Sequence, residues 1–194
     1  MGRSLFMDLH DMTALELLLT RSSFSKLTEP APAGDALENI ISAGLRAPDH
    51  AHLSPYEFIV CQGQGLQRLT DIFVDAAEKS NFPATKIEKA HTMCFRAPMI
   101  IVAIMRFKEH EKVPRVEQIS TTGCAVQNMQ MAAQAQGFQG IWRTGNFAVN
   151  DLVRRAFDCA ENDEIVGFLY LGTPECEAPI KRDRDPVKFV SYWN

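Results

Sequence analysis

The sequence lacks a long apolar run and uses few cysteines, and each shortage excludes a class of protein. No stretch of the 194 residues approaches the roughly 20 consecutive apolar residues that span a bilayer. The first residues lack the continuous apolar segment and small-residue cleavage site of a signal peptide. The five cysteines are scattered and form no C-x-x-C pair. This usage indicates core thiols in a reducing compartment, so a cytoplasmic protein is expected.

An excess of positive charge and the short catalytic motifs are also missing. The formal net charge of −4 indicates no nucleic-acid partner. Gly63-Gln64-Gly65 lacks the third glycine of a dinucleotide-binding turn, and there is no Walker-type loop. A hydrolase is not supported either, because no Gly-x-Ser-x-Gly elbow occurs. His50-Ala51-His52 could begin a metal site, but no third ligand with matching spacing accompanies it, so no metal is expected.

The stretch from Ser120 to Gly145 organises the rest of the chain. The hydroxyl residues at 120–122 predict a helix N-terminus, and Gly137 predicts the end of that helix. The charged residues from Lys108 to Gln118 are expected to form a loop that leads into it. Apolar residues point in nearly every direction around the axis: Cys124, Ala125, Val126, Met129, Met131, Ala132, Ala133 and Ala135. A helix of this kind is buried on most of its circumference, which predicts the central helix of the fold.

Hydrophobic spacing predicts further helices and strands around this central helix. The helices are predicted at Thr13–Thr20, Asp35–Ala47 (ended by Pro48), Gly65–Ser80 and Ala84–Met93, with a short one from Asn150 to Phe157. The strands are predicted at Tyr56–Cys61, Met99–Met105, the segment around Ile141-Trp142, and Ile165–Gly172. Residues 1–12 are expected to be a loosely ordered extension. The apolar, β-prone segment Phe189 to Trp193 either pairs with a second copy of the chain or docks on its own sheet. With no linker or repeat, residues 1–194 are expected to form one α+β domain, with helices on both sides of a short mixed sheet.

Four clusters place polar side chains at the ends of apolar segments. They are Arg21-Ser22-Ser23, Arg46 with Asp49-His50, Arg143-Thr144 and Lys181-Arg182. Arginines at such positions can bind a phosphate through paired hydrogen bonds, with help from serine hydroxyls. A buried guanidinium at 143 needs a partner, either an internal Asp or Glu or an anionic cofactor. The arginines at 21 and 46 could equally face water. The residues by themselves therefore indicate an anion-binding α+β domain.

The order of these clusters resembles the nitroreductase family of FMN-dependent oxidoreductases. The motifs are Arg21-Ser22-Ser23, Gly44-Leu45-Arg46-Ala47-Pro48-Asp49-His50, Phe95-Arg96-Ala97-Pro98, the run from Ala132 to Gly145, and the run from Val166 to Pro174. The resemblance covers about Ala14 to Tyr192 and is closest to the small YdjA-like branch of NAD(P)H nitroreductases. It implies a three-layer α/β/α sandwich with a short mixed, mainly antiparallel sheet around a central buried helix. It also implies a homodimer with FMN in each groove between subunits.

The resemblance also implies which residues meet the cofactors. The FMN set is Arg21, Ser22, Ser23, Arg46, His50, Trp142, Arg143 and Thr144. The NAD(P) set is Ala132, Ala133, Gln134, Ala135, Gln136 and Gly137. No side chain is expected to act as a nucleophile or metal ligand, because the flavin supplies the reactivity. A positive side chain, Arg21 or Arg46, is expected to stabilise negative charge on the reduced flavin.

The activity that the resemblance implies is ping-pong transfer of a hydride from NADH or NADPH, through FMN, to a nitroaromatic or quinone-like acceptor. Two departures from larger relatives leave the acceptor open. Ser54-Pro55-Tyr56 stands where they have Gln-Pro-Trp, and the segment that covers the flavin is short, at about Lys108 to Gln118. An FMN carrier or sensor without turnover remains an alternative. So does another flavin reaction on the same scaffold, such as reductive dehalogenation.

Overall fold

The computed structural model describes residues 13–176 and 184–193. The helices are α1 (Ala14–Thr20), α2 (Asp35–Gly44), α3 (Gln64–Lys79), α4 (Ala84–Met93), α5 (Arg115–Ala135) and α6 (Asp151–Ala156). The strands are β1 (Leu27–Thr28), β2 (Tyr56–Gln62), β3 (Met99–Met105), β4 (Gln139–Arg143) and β5 (Glu164–Pro174). Short 3₁₀ turns lie at His50–His52, Cys94–Arg96 and Pro186–Lys188. In this part of the chain no helix is both long and apolar enough to cross a membrane.

The five strands form one sheet in which β5 has the most neighbours. Its order is β1-β5-β3-β2, and β4 also pairs with β5. Every strand pair among the described residues is antiparallel. The prediction of a mainly antiparallel sheet is therefore confirmed, and the prediction that the sheet is mixed is wrong for the described strands.

Helices cover both faces of the sheet, so the α+β class and the three-layer arrangement are confirmed. Side chains alternate along β3 because the strand repeat is two residues. Ile100, Val102 and Ile104 pack with α3, α4 and α6 in one core. Met99, Ile101 and Ala103 pack with α2 and α5 in the other. β3 is buried along its whole length, which explains why its sequence is apolar without interruption.

The central helix is buried as predicted, but its predicted start is wrong. The helix begins at Arg115 after Pro114, five residues before Ser120, so the last four residues of the predicted loop at Lys108 to Gln118 are helical. The Ser120 hydroxyl donates to the Val116 carbonyl at 2.8 Å, and the Thr122 hydroxyl to the Gln118 carbonyl at 3.1 Å. Each hydroxyl donates to a carbonyl four residues earlier within the helix, so neither caps the helix N-terminus.

Most other boundaries agree with the predictions within two residues, and three differences remain. α2 ends at Gly44 and not at Ala47, because Leu45, Arg46 and Ala47 continue as turns. The two-residue strand β1 was missed. Phe189 to Trp193 forms no strand and is exposed, so docking on its own sheet is wrong. The predicted extension at residues 1–12 and the Lys181-Arg182 cluster lie outside the described residues.

A buried carboxylate joins the end of β3 to the turn before β5. Asp163 accepts hydrogen bonds from the Arg106 guanidinium at 2.9 Å, from the Phe107 N–H at 2.9 Å and from the Ala160 N–H at 3.0 Å. Arg106 also donates to Glu57 and to two carbonyls. Burial by itself would raise the pKa of the Asp163 carboxyl, but these hydrogen bonds outweigh burial and lower the pKa below its usual value.

We predict that Asp163→Asn destabilises the protein by about 1–3 kcal/mol at neutral pH, because an amide cannot accept all three bonds. The native carboxylate contributes this stability above its unfolded pKa of about 4, and the contribution is lost as the pH falls below that value. Urea unfolding at neutral and acidic pH measures both effects. Glu57→Gln is the matched control: Glu57 bonds the same guanidinium but is half-exposed, so its loss should cost less than about 1 kcal/mol. Equal losses for the two variants would contradict the prediction.

Candidate functional site

A groove of about 600 Å³ lies between the first half of α5 and the segment that follows β4. Trp142 and Thr144, both from the predicted FMN set, line it. The facing wall comes from Ile119, Ser120 and Gly123 of α5. The indole N–H of Trp142 donates to the Val166 carbonyl at 3.1 Å, so the polar edge of the ring is already bonded. The groove is therefore mostly apolar, with a fixed aromatic ring at one side.

Gly167 makes room for this ring, and Gly123 lies beside it. A Cβ at Gly123 would lie 3.5 Å from Cη2 of Trp142, and a Cβ at Gly167 would overlap the indole nitrogen. Gly167 has a φ of 153°, which L side chains rarely adopt. The position of the indole therefore depends on β5 and α5 as much as on β4.

Arg143 leaves β4 on the face opposite to Trp142, because neighbouring strand residues alternate. Its guanidinium carbon lies 5.6 Å from the centre of the buried Tyr170 ring. Its Nε is buried and has no hydrogen-bond partner among the described residues. No described Asp or Glu forms a salt bridge with it, so the internal ion pair considered from the sequence is not present there. Burial raises the pKa of the Tyr170 hydroxyl, the neighbouring Cys94 adds to this, and the charges of Arg143 and Arg96 oppose it.

The segment Arg21-Ser22-Ser23 follows α1 and lies beside the beginning of β4. Nη1 of Arg21 donates to the Ser23 hydroxyl at 3.3 Å, and the buried Ser22 hydroxyl donates to the Thr20 carbonyl at 3.5 Å. The next N–H, of Phe24, donates to the Gly140 carbonyl at 3.2 Å. This backbone bond places the Arg21 segment next to the strand that carries Trp142 and Arg143.

The predicted NAD(P) segment is the C-terminal end of α5. Ala133 and Gln134 are buried, and Ala135 is the exposed member of the segment. The Gln134 side-chain N–H donates to the Thr20 hydroxyl at 3.4 Å, while its Oε1 is buried without a partner among the described residues. Gly137 has a φ of 89° and lies just beyond the end of the helix, as predicted. Ala132, Gln136 and Gly137 are half-buried, so only part of this segment is accessible to a ligand.

Arg46 and His50 lie beyond the end of α2, and His50 contacts the start of α5. Arg46 is exposed. His50 Nδ1 lies 2.8 Å from Oε2 of Glu117, a residue in the first turn of α5. Glu117 was missed by sequence reasoning, which assigned it to a loop, and no motif includes it.

Within one chain, the predicted FMN residues form two groups. One consists of the segments at 21–23 and 142–144, which share the neighbourhood of β4, and the other consists of Arg46 and His50, beyond the end of α2. Trp142 and Thr144 also face the first half of α5, the part of the helix that carries Glu117, the partner of His50. No hydrogen bond or ion pair within residues 13–176 and 184–193 joins Arg21, Arg46 and Arg143. Among the same residues no group of three or more His, Cys, Asp or Glu side chains could hold a metal ion.

Comparisons with known proteins give a consistent result. The family model described as "Nitroreductase family" matches residues 18–173. A protein of Escherichia coli K12 named "Putative NAD(P)H nitroreductase YdjA" is 49% identical over 183 residues, covering 94% of this chain and all of that protein. A nitroreductase-like family protein from Bacillus cereus has a similar structure, with a TM-score of 0.77, 22% identity and 96% of each chain covered. A nitroreductase with bound FMN from Bacteroides fragilis has a TM-score of 0.74 at 23% identity, covering 94% of this chain and all of that one.

Proposed function

The chain belongs to the nitroreductase family of oxidoreductases, and from this we propose that it binds FMN and transfers electrons from NADH or NADPH to a nitroaromatic or quinone-like acceptor. Bound FMN would supply the chemistry by accepting a hydride from the nicotinamide and passing the electrons on. The chain's own residues would bind the cofactor, orient it and exclude water. The proposal includes no nucleophilic side chain and no metal.

The orphaned Nε of Arg143 is the observation that carries the proposal. A buried guanidinium nitrogen without an acceptor is costly, so an anionic or acceptor group at this position would be strongly favoured. Arg21 and the Ser23 hydroxyl lie beside the same strand and offer further donors of the kind that bind a phosphate. The side chains present therefore fit the phosphate of FMN.

The groove at Trp142 fits the flat, largely apolar part of FMN. Its walls are mainly apolar, and its aromatic ring is held by Val166 and by the two glycines that surround it. An aromatic cofactor would stack against such a surface without breaking the hydrogen bond between Trp142 and Val166. We propose that Trp142 and Thr144 contact the cofactor here.

Only part of the proposed NAD(P) segment could contact a nicotinamide nucleotide. Since Ala133 and Gln134 are buried, a nicotinamide nucleotide would contact the exposed Ala135 and the half-buried Ala132, Gln136 and Gly137. The buried Oε1 of Gln134 still lacks a donor, which a ligand or a water molecule could provide.

Two segments of the chain expose apolar side chains that a second copy could cover. None of the seven residues of α1 is buried. Leu15, Leu18 and Leu19 of this helix are 64%, 58% and 71% exposed. Phe189, Tyr192 and Trp193 near the C-terminus are exposed as well. Apolar surface of this extent is typical of an interface. We therefore propose a homodimer, with the α1 face and the C-terminal segment against the partner and FMN between the subunits.

Anaerobic addition of NADH or NADPH to the purified, FMN-loaded protein tests the activity. We expect the visible flavin absorbance to disappear with at least one of the two nucleotides and to return when a nitroaromatic or quinone is added. Flavin that stays oxidised with both nucleotides would contradict the proposed oxidoreductase activity and would favour an FMN carrier or sensor.

Arg21→Ala should weaken FMN binding by roughly 1.5–3 kcal/mol, the size of a hydrogen bond to a charged group. Quenching of FMN fluorescence on titration with the apoprotein measures the affinity. Arg68→Ala is the control, since Arg68 is an exposed arginine on α3, away from the proposed phosphate donors. Unchanged affinity in the Arg21 variant would remove Arg21 from the site.

Leu19→Glu should shift the protein from dimer to monomer in analytical ultracentrifugation. Burying one leucine contributes about 1.5–3 kcal/mol, so its loss weakens association by tenfold or more. Gln67→Glu on the exposed side of α3 adds the same charge outside the proposed interface and should leave the dimer intact. A native protein that sediments as a monomer at all concentrations would contradict the dimer.

A further inference from the structure

The loop that follows α2 has an uncommon backbone conformation. Ala51, His52 and Ser54 have φ values of 60°, 54° and 47°. This left-handed region is rarely occupied by residues other than glycine, and it persists only where surrounding contacts hold it. Three such residues within four positions indicate a loop that is held in place for a purpose beyond connecting α2 to β2.

Hydrogen bonds from several segments hold this loop. The Ser54 N–H donates to the Asp49 carboxylate at 2.7 Å, and Lys108 Nζ donates to the Leu53 carbonyl at 2.5 Å. Lys108 is fixed in turn by the buried amide of Gln118, which accepts from its N–H at 2.9 Å and donates to its carbonyl at 2.7 Å. The loop is therefore fixed relative to the first turns of α5.

The contact between His50 and Glu117 differs from these hydrogen bonds because it involves the side chain of His50, the proposed FMN contact. The two side chains are 54% and 46% exposed. An ion pair at this exposure contributes little to folding stability, since water screens it. Its main effect is on the orientation and tautomer of the imidazole.

A carboxylate has no proton to donate, so Nδ1 of His50 must carry the hydrogen of the 2.8 Å bond to Glu117. In the neutral ring this leaves Nε2 as a hydrogen-bond acceptor. We propose that Glu117 is a positioning residue of the cofactor site: it fixes the tautomer and direction of the His50 ring so that Nε2 accepts a hydrogen bond from an N–H or O–H group of FMN. This inference rests on the proposed function, because it takes His50 to be an FMN contact.

Two variants of Glu117 distinguish its role in positioning the His50 ring from an effect of its negative charge. Glu117→Ala removes the acceptor for Nδ1–H, and we expect it to weaken FMN binding roughly five- to tenfold, as for the loss of one neutral hydrogen bond. Glu117→Gln removes the charge but keeps an acceptor oxygen, so it should bind FMN within about twofold of the native protein. Glu111→Gln removes a carboxylate of the preceding segment that is 81% exposed, and it is the control for net charge. Fluorescence titration with FMN measures all three affinities.

The ring nitrogens of His50 provide a readout that needs no cofactor. In ¹⁵N–¹H spectra of the apoprotein, recorded in buffer alkaline enough for imidazole to be neutral, we expect the proton on Nδ1 in the native and Glu117→Gln proteins. In Glu117→Ala this preference should be lost. A double-mutant cycle completes the test: in a His50→Ala background, Glu117→Ala should have no further effect on FMN affinity.

Three results would overturn the inference. One is a native His50 that carries its proton on Nε2. Another is an unchanged FMN affinity in Glu117→Ala while the native protein binds FMN. The third is an equal loss of affinity from Glu117→Ala with and without His50, which would mean that Glu117 acts independently. If the native protein fails to bind FMN, the proposed function fails and the cofactor role of Glu117 with it, whereas the nitrogen spectra still decide whether the pair fixes the ring.

Discussion

The close packing of α5 against α2 and the sheet is the contact on which the rest of the structure depends. A Cβ at Gly44 would overlap the Met129 side chain, so the two helices approach each other as closely as a glycine allows. Asn128 donates to the Ala43 carbonyl at 3.2 Å, and Gln136 donates to the Ala36 carbonyl at the same distance. These bonds set α2 antiparallel to α5. The loop beyond α2 is therefore brought to the start of α5, where Glu117 lies.

Buried amide side chains of α5 connect it to the segments that form the candidate site. Gln118 bonds the backbone of Lys108, Gln130 donates to the Gly140 carbonyl at 3.1 Å, and Gln134 donates to Thr20. A buried amide without a partner is costly, so each of these contacts fixes a neighbouring segment in one position. The buried amides of this helix thus position the neighbouring segments that form the candidate site.

The arrangement agrees with a protein that binds and orients a cofactor and leaves the chemistry to it. The Trp142 ring has its polar edge bonded to β5, and the Arg143 guanidinium has a nitrogen still without an acceptor. One side chain therefore offers a flat surface and the other an unfilled donor, on opposite faces of one strand. The exposed leucines of α1 are explained if a second copy of the chain covers them.

The sequence by itself determined the elements whose pattern is local. β3 agrees with its predicted bounds because a continuous run of apolar, mostly β-branched residues follows Pro98 directly, and α4 agrees with its predicted bounds as well. The family resemblance supplied the site residues, but not their spatial arrangement. Only the tertiary structure decided where α5 begins, because the Ser120 and Thr122 hydroxyls that suggested a cap bond to carbonyls one turn back. It alone paired His50 with Glu117, 67 residues apart, since such a contact depends on how two helices pack and leaves no trace in local spacing.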